Sequence, residues 1–387
     1  MNPALPPEGP ENDASPSTLT RLLERCVERD ASDLHLSPGL PPTFRVHGEL
    51  VTVAGDAPLS AEEARGIAES LMHLSGRAQF DRDGAQDGAL TSATGGRFRF
   101  NVFKTIRGVG VALRRLEDRF WSLSELGLPE SLDGLCDLQD GLVVVAGPTG
   151  SGKSTTLGTL IDRINRTRAC HVITIEDPIE YVHAPAKGIV NQRQVGAHAA
   201  DFHGALVAAL REDPDVILLG EVRDLDTIRT AIRAAETGHL VFTTVHASDT
   251  VGAIERMTSV FPSEEQSGIR AQLSLVLHTV VAQRLLPANP ETASGQAMDR
   301  HRVVASEILV NTSGVANLIA SGRSAQLYAM LETGRRHGMQ TFEHDLDRLL
   351  TARRITRLTA TTQARSPELL SDRPERPARR ADGGEAR

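Results

Sequence analysis

GLVVVAGPTGSGKSTTL, residues 141–157, reads as a buried strand, a glycine-rich loop and the first turn of a helix. The strand, 142–146, is wholly apolar. The loop GPTGSGKS matches G-x-x-x-x-G-K-[ST], and the helix beyond it carries Leu157, Leu160, Ile161 and Ile164, the stripe of a face packed on a sheet. A chance match has no reason to sit in this strand–loop–helix context. Small residues let the backbone curl so that its N–H groups point at phosphate, and the helix N-terminus adds partial positive charge. The expected nucleotide-binding residues are Gly147, Pro148, Thr149, Gly150, Ser151, Gly152, Lys153, Ser154 and Thr155. Lys153 is expected on the β- and γ-phosphates of ATP, and the Ser154 hydroxyl on Mg²⁺.

Working outward, DVILLGEVRD is a buried strand, 216–219, that delivers Glu221 to its C-terminal end, where α/β sheets bind ligands. There the carboxylate is placed to hold Mg²⁺ through water, the bland alternative being a cap on the next helix. A common P-loop ATPase has Asp at this point. TIEDPIEY places Glu176, Asp177 and Glu180 after the strand 172–175. One of these carboxylates is expected to orient or deprotonate the attacking water; Glu176, first off the strand, is the candidate, while Asp177 serves the turn with Pro178. TGHLVFTTVHAS puts His239 before and His246 after a third strand, 241–245. His246 is the candidate γ-phosphate sensor, and the same role stays open for His239. Near-continuous apolar strands joined by helices predict a mainly parallel, doubly wound sheet, hence an α/β fold.

The first half reads differently. A helix is expected over 22–29, strands over 33–36 and 43–46, and a helix opened by a Ser60/Glu63 capping box and running to about Leu74. GGRFRFNVFKTIRGVGVALRRL alternates Arg97, Phe98, Arg99, Phe100, the pattern of half-buried strands. The expected organisation is a disordered tail 1–18, a small α+β domain 19–116, a linker 117–134, an ATPase domain 135–364 and a second disordered tail 365–387, the tails being rich in Pro, Gly and charge.

Composition narrows the function classes. A formal net charge of −8 and only 3% aromatic residues argue against a nucleic-acid binder, which needs surplus cations and stacking surfaces. Cys26, Cys136 and Cys170 are too scattered for a disulfide framework or a thiolate zinc site and are expected as reduced thiols. The N-terminus is acidic and proline-rich, unlike a signal peptide, and the apolar runs are far shorter than a membrane span. The expectation is a cytoplasmic protein without direct membrane insertion.

These boxes, in this order, resemble the ATPase superfamily of type II secretion and type IV pili. ASDLHLSPGLPP, ITIEDPIEYVH, NQRQVG, ALREDPDVILLGEVRDLDTI and AAETGHLVFTTVHASD look like the pilus retraction ATPases, PilT-like or of the PilU-like paralogue. The resemblance spans about 31–351. It implies a PAS-like N-terminal domain, a RecA-like P-loop domain and a homo-hexamer that hydrolyses ATP between domains to power retraction. It also implies an inner-membrane platform protein as partner, and so a peripheral place at that membrane. It puts Glu176 in the aspartate box, Glu221 in the atypical Walker B and His246 in the histidine box. It matches Arg97, Arg99 and Arg114 to N-domain arginines that reach the phosphates, against the alternative of solvated strand arginines. Extension ATPases of the superfamily usually carry a four-cysteine zinc motif and a larger N-terminal region, which this chain lacks. VANLIASG, 315–322, departs from the charged AIRNLIRE-like helix of the retraction enzymes. The alternatives are a secretion or conjugation ATPase, a weakly hydrolysing regulatory ring subunit, and a RecA-fold nucleic-acid motor.

Overall fold

The computed structural model describes residues 18–370 except 47–48, 53–54, 73, 117–118 and 293–301. Of the expected tails, 1–17 and 371–387 therefore lie outside the described residues. The chain forms two compact units, Met1–Arg119 and Phe120–Arg387.

The first unit is α+β. Its strands are β1 (Ala31–Leu36), β2 (Thr43–Val46), β3 (Glu49–Thr52), β4 (Ala85–Thr91), β5 (Arg97–Thr105) and β6 (Gly108–Arg115). They form one antiparallel sheet in the order β3-β2-β1-β6-β5-β4. The alternation in β5 is real: Phe98, Phe100 and Val102 are buried, whereas Arg99 is exposed. That apolar face, with Leu34, Leu36 and Phe44, packs against α1 (Thr18–Glu28) and α2 (Ala61–Leu71). The capping box opens α2: the Ser60 hydroxyl accepts from Glu63 N–H at 3.1 Å and the Glu63 carboxylate accepts from Ser60 N–H at 2.8 Å. The helix stops at Leu71 rather than Leu74, and a further helix, α3 (Leu74–Asp83), follows. Nothing in the weakly amphipathic LSGRAQFDRD announced it.

The second unit is α/β. Its sheet contains β7 (Gly141–Ala146), β8 (His171–Glu176), β9 (Ile189–Gln194), β10 (Val216–Leu219), β11 (Leu240–Val245), β12 (Leu277–Pro287) and β13 (Arg302–Val310). The order is β13-β12-β7-β11-β10-β8-β9, with every neighbouring pair parallel except β12 and β13. β7, β10 and β11 are buried at every residue, because helices cover both faces. Val143, Val145 and Phe242 point to one face, where α4 (Leu123–Leu126) and α5 (Lys153–Thr167) pack through Leu157, Leu160, Ile161 and Ile164. Leu142, Val144, Ile217 and Val241 point to the other. That face is covered by α6 (Phe202–Ala209), α7 (Leu225–Glu236), α8 (Thr250–Ser259) and α9 (Ser263–Val276). Beyond them lie α10 (Ser313–Ala320), α11 (Leu327–Thr333), α12 (Phe342–Thr351) and α13 (Arg357–Gln363).

Two expected boundaries change. Of the supposed linker 117–134, the residues from Phe120 on belong to the second unit. Leu123, Leu126, Leu128 and Leu132 are buried against the sheet face that α5 leaves uncovered. Each such leucine contributes about 1.5–3 kcal/mol by leaving water, so the segment is part of the core. Likewise 365–370 is not tail: Arg365 is bonded to Glu343 and Asp249, and Leu370 is buried in the core. The three cysteines are free thiols.

Candidate active site

The parallel sheet brings the C-terminal ends of β7, β8, β10 and β11 together, and the sequence hangs a polar group on each. After β7 the loop 147–152 turns tightly. A Cβ on Gly147 would lie 2.3 Å from Ser151 Oγ and 2.6 Å from the Gln283 carbonyl oxygen, so only glycine fits. Gly152, the N-cap of α5, has φ +90°, a left-handed conformation that glycine adopts without cost. Lys153 Nζ donates to the carbonyls of Gly147 and Pro148, each at 3.0 Å. Burial pulls its pKa below the usual lysine value, opposed by the carboxylates of Glu221 and Glu180. Ser154 is exposed on the first turn of α5, and the Thr155 hydroxyl accepts from Tyr181 at 3.0 Å.

Glu221 follows β10 with its side chain 13% exposed. One carboxylate oxygen lies 2.5 Å from Arg223, the other 3.5 Å from His246 Nε2. Burial and the nearby Lys153 charge depress the His246 pKa, with Glu221 opposing, which favours the neutral imidazole. Gly220 lets β10 pass close to β8: a Cβ there would stand 3.3 Å from Glu176 Cα. Glu176 accepts from the Thr174 hydroxyl at 2.6 Å and from Gln192 Nε2 at 3.2 Å. Burial raises its pKa above the usual carboxylate value, which those bonds oppose. A carboxylate so tuned is a better proton acceptor than an exposed one.

Lys153, Glu221, His246 and Glu176 thus stand at one edge of one sheet. His239 does not. It precedes β11, at the opposite end of that strand, and its ring is within bonding distance of the Ala234 carbonyl at 2.9 Å, which makes it part of the end of α7. Arg97, Arg99 and Arg114 lie in the first unit on one sheet face. Arg99 is in register with Arg114, Arg114 Nε donates to Asp33 at 2.8 Å, and Arg99 is 4.0 Å from Asp87.

Two supporting residues escaped the sequence reading. Gln283 on β12 is fully buried; it donates to the Ser151 carbonyl at 2.9 Å and accepts from the Thr156 hydroxyl at 3.0 Å, bracing the loop from below. Its signal was a lone amide in the apolar run TVVAQRLL. Gln192 holds Glu176, the Tyr181 carbonyl (2.8 Å) and the His183 N–H (2.9 Å) together, and NQRQVG offers no periodicity that would reveal it.

The loop fits a nucleotide. Its backbone cannot accept a Cβ at Gly147, and the Ser151 hydroxyl is buried without a hydrogen-bond partner among the described residues. From Gly150, Lys153 and Ser154 a cavity of about 290 Å³ runs between Leu126, Leu285 and Val304, with Arg302 and Arg354 on its wall. The donor set also fits Mg²⁺, which is normally held by one or two protein oxygens plus phosphate and water: Ser154 and Glu221 supply those oxygens. Among the described residues there is no cluster of three or more His, Cys, Asp or Glu able to cage a metal alone. Nor is any helix among them long and apolar enough to cross a membrane.

The family described as Type II/IV secretion system protein matches residues 11–365. The chain is 41% identical to the type IV pilus retraction ATPase PilT of Pseudomonas aeruginosa over 350 residues, 90% of this chain and 99% of that protein. It is 39% identical to the type IV pilus ATPase PilU of the same organism, covering 87% of this chain and 86% of that one. The crystal structure of the pilus retraction motor PilT with bound ADP superposes with a TM-score of 0.83 at 39% identity, covering 91% of this chain and 98% of that chain. Site, fold and likeness agree: this chain belongs to the type II/IV secretion system ATPase family and is PilT-like within it.

Proposed function

We propose that the protein hydrolyses ATP with Mg²⁺ as a homo-hexameric motor that drives retraction of a type IV pilus. The observation that carries this is the convergence of Lys153, Glu221, His246 and Glu176 at one edge of the parallel sheet. Lys153 exchanges its two loop carbonyls for phosphate oxygens. The apolar walls at Leu126, Leu285 and Val304, with Arg302 and Arg354, suit a flat nucleobase and ribose. Glu176 takes the proton of the attacking water, while His246, held against Glu221, senses the terminal phosphate. Mg²⁺, when bound, spreads the charge that develops on the transferring phosphoryl group. Arg97, Arg99 and Arg114 supply further positive charge, each from the first unit of a neighbouring subunit. The ring works in the cytoplasm, where it engages an inner-membrane platform protein.

A second reading, an accessory ATPase beside another retraction motor, is favoured by α10. Its exposed and half-exposed positions Ala316 and Ala320, with Ser321 at its C-terminal end, carry no charge where the retraction family is charged, although Asn317, Leu318 and Ile319 are kept. A deletion strain tests both: unretracted excess pili support a retraction motor, bald cells refute it, and near-normal retraction restored by a paralogue supports the accessory role.

A further inference from the structure

His246 reaches the site on a short loop, 246–249, between β11 and the N-cap of α8. That loop is gripped from outside the nucleotide site. Asp249 divides its carboxylate: Oδ1 caps α8 by accepting from Gly252 N–H at 2.7 Å, and Oδ2 accepts from Arg365 at 2.9 Å. The preceding carbonyl, Ser248, accepts from one Arg284 nitrogen at 3.1 Å, and the other donates to the Gln363 carbonyl, also at 3.1 Å. Arg284 is therefore a bridge from the loop to the C-terminal segment.

The segment is itself anchored. Arg365 N–H donates to Glu343 at 2.8 Å, the other Glu343 oxygen accepts from Tyr328 at 2.6 Å, and the Arg365 guanidinium lies 4.8 Å over the Tyr328 ring. Arg284 stacks 4.3 Å over Phe342. Beneath the loop, buried Glu307 accepts from the Thr250 N–H and hydroxyl at 2.8 and 2.7 Å. Leu370, in the core, fixes the far end. Charge-assisted bonds of this kind are directional and resist displacement.

We propose that residues 363–370 form a strap that positions His246, acting through Arg365 on Asp249 and through Arg284 on Ser248. Arg365 is a positioning residue and touches no nucleotide. The kinetic consequence rests on the role given to His246 above; the mechanical one does not.

Hydrogen–deuterium exchange and ATP turnover on the full-length chain test the two separately. Arg365→Ala raises exchange in peptides covering 246–252 and leaves those covering 147–156 unchanged. It lowers kcat roughly five- to tenfold with KM for ATP within about twofold, since the phosphate loop is untouched. Arg365→Lys, which keeps the charge beside Asp249, recovers part of the loss. In a His246→Ala background Arg365→Ala produces no further loss, because a residue acting through another is not additive with it. Asp249→Asn gives a second route if Arg365→Ala folds poorly: the amide oxygen still caps α8, and the charge that Arg365 grips is gone. Unchanged exchange at 246–252 overturns the strap. Raised exchange with equal slowing in both backgrounds overturns its action through His246. If His246→Ala itself turns over like the parent, the assigned role of His246 fails and the kinetic half falls with it, while the exchange result still decides whether the strap holds the loop.

Discussion

The two sheets of this chain handle burial in opposite ways, and the contrast shows where each can carry chemistry. β7, β10 and β11 are buried along their whole length, so the groups they offer to a ligand sit at the strand ends. A side chain there is aimed by backbone packed on both sides, which suits a reaction that tolerates little misplacement. β5 buries every second residue and turns Arg97 and Arg99 to the other face, with Arg114 of β6 in register beside Arg99. A sheet face of that kind presents a row of charge rather than a point, which suits electrostatic support of a partner surface. Strand ends should therefore govern turnover without governing stability, the arginine face should matter only in the ring, and stability should follow the doubly covered strands.

The harshest test of this contrast is at the end of β7. Lys153→Ala is expected to lower ATP hydrolysis by roughly 10³-fold or more while the far-UV circular dichroism stays that of the parent. Parent-like phosphate release would remove the loop from the mechanism. At the ends of β8 and β10, Glu176→Gln and Glu221→Gln should each lower turnover by roughly 10²-fold, because the amide keeps the shape and loses the charge. Nucleotide binding, followed by calorimetry, should largely survive. If Glu176→Gln changed nothing, the proton acceptor would have to be sought at Glu180.

The sheet face is sharpened by mixing. An Arg97→Ala/Arg99→Ala double variant should keep its melting temperature and lose about tenfold to a hundredfold in turnover. Mixed with Lys153→Ala it should regain part of that activity, because some interfaces then pair intact arginines with an intact loop. Failure to complement in verified mixed rings would return these arginines to ordinary solvated residues. On stability, Leu142→Ala in fully covered β7 should cost about 2–5 kcal/mol in denaturant unfolding. Leu50→Ala on β3, 59% exposed, should stay within about 0.5 kcal/mol.

A further effect is one of pH. His183 is buried, stacked 4.8 Å from Phe120, and burial pushes its pKa from an ordinary 6.5 down to about 4. Between those values the unfolded chain binds more protons than the folded one, so stability falls as pH drops through that window, by at most about 3 kcal/mol. His183→Phe, which keeps a ring against Phe120, should flatten that part of the stability–pH curve. An unchanged slope would assign the acid limb to other groups.

Sequence alone carried much of this. The loop 147–154, the amphipathic α5, the apolar strands and the polar residue closing each of them are local patterns, readable because burial on two faces leaves a period-free apolar run whose end is marked by chemistry. The alternation around Phe98 and the Ser60/Glu63 cap were equally local. Tertiary structure decided the rest. Residues 120–134 read as linker because their leucines have no regular period, and only the uncovered face of the sheet explains their burial. Arg365 read as tail because its partners, Asp249 and Glu343, are 116 and 22 positions away and invisible to any local window. His239 and His246 flank the same strand at comparable distance. Which of them stands by the phosphate loop was settled by strand direction: in a parallel sheet all C-terminal ends meet at one edge, and His239 belongs to the other.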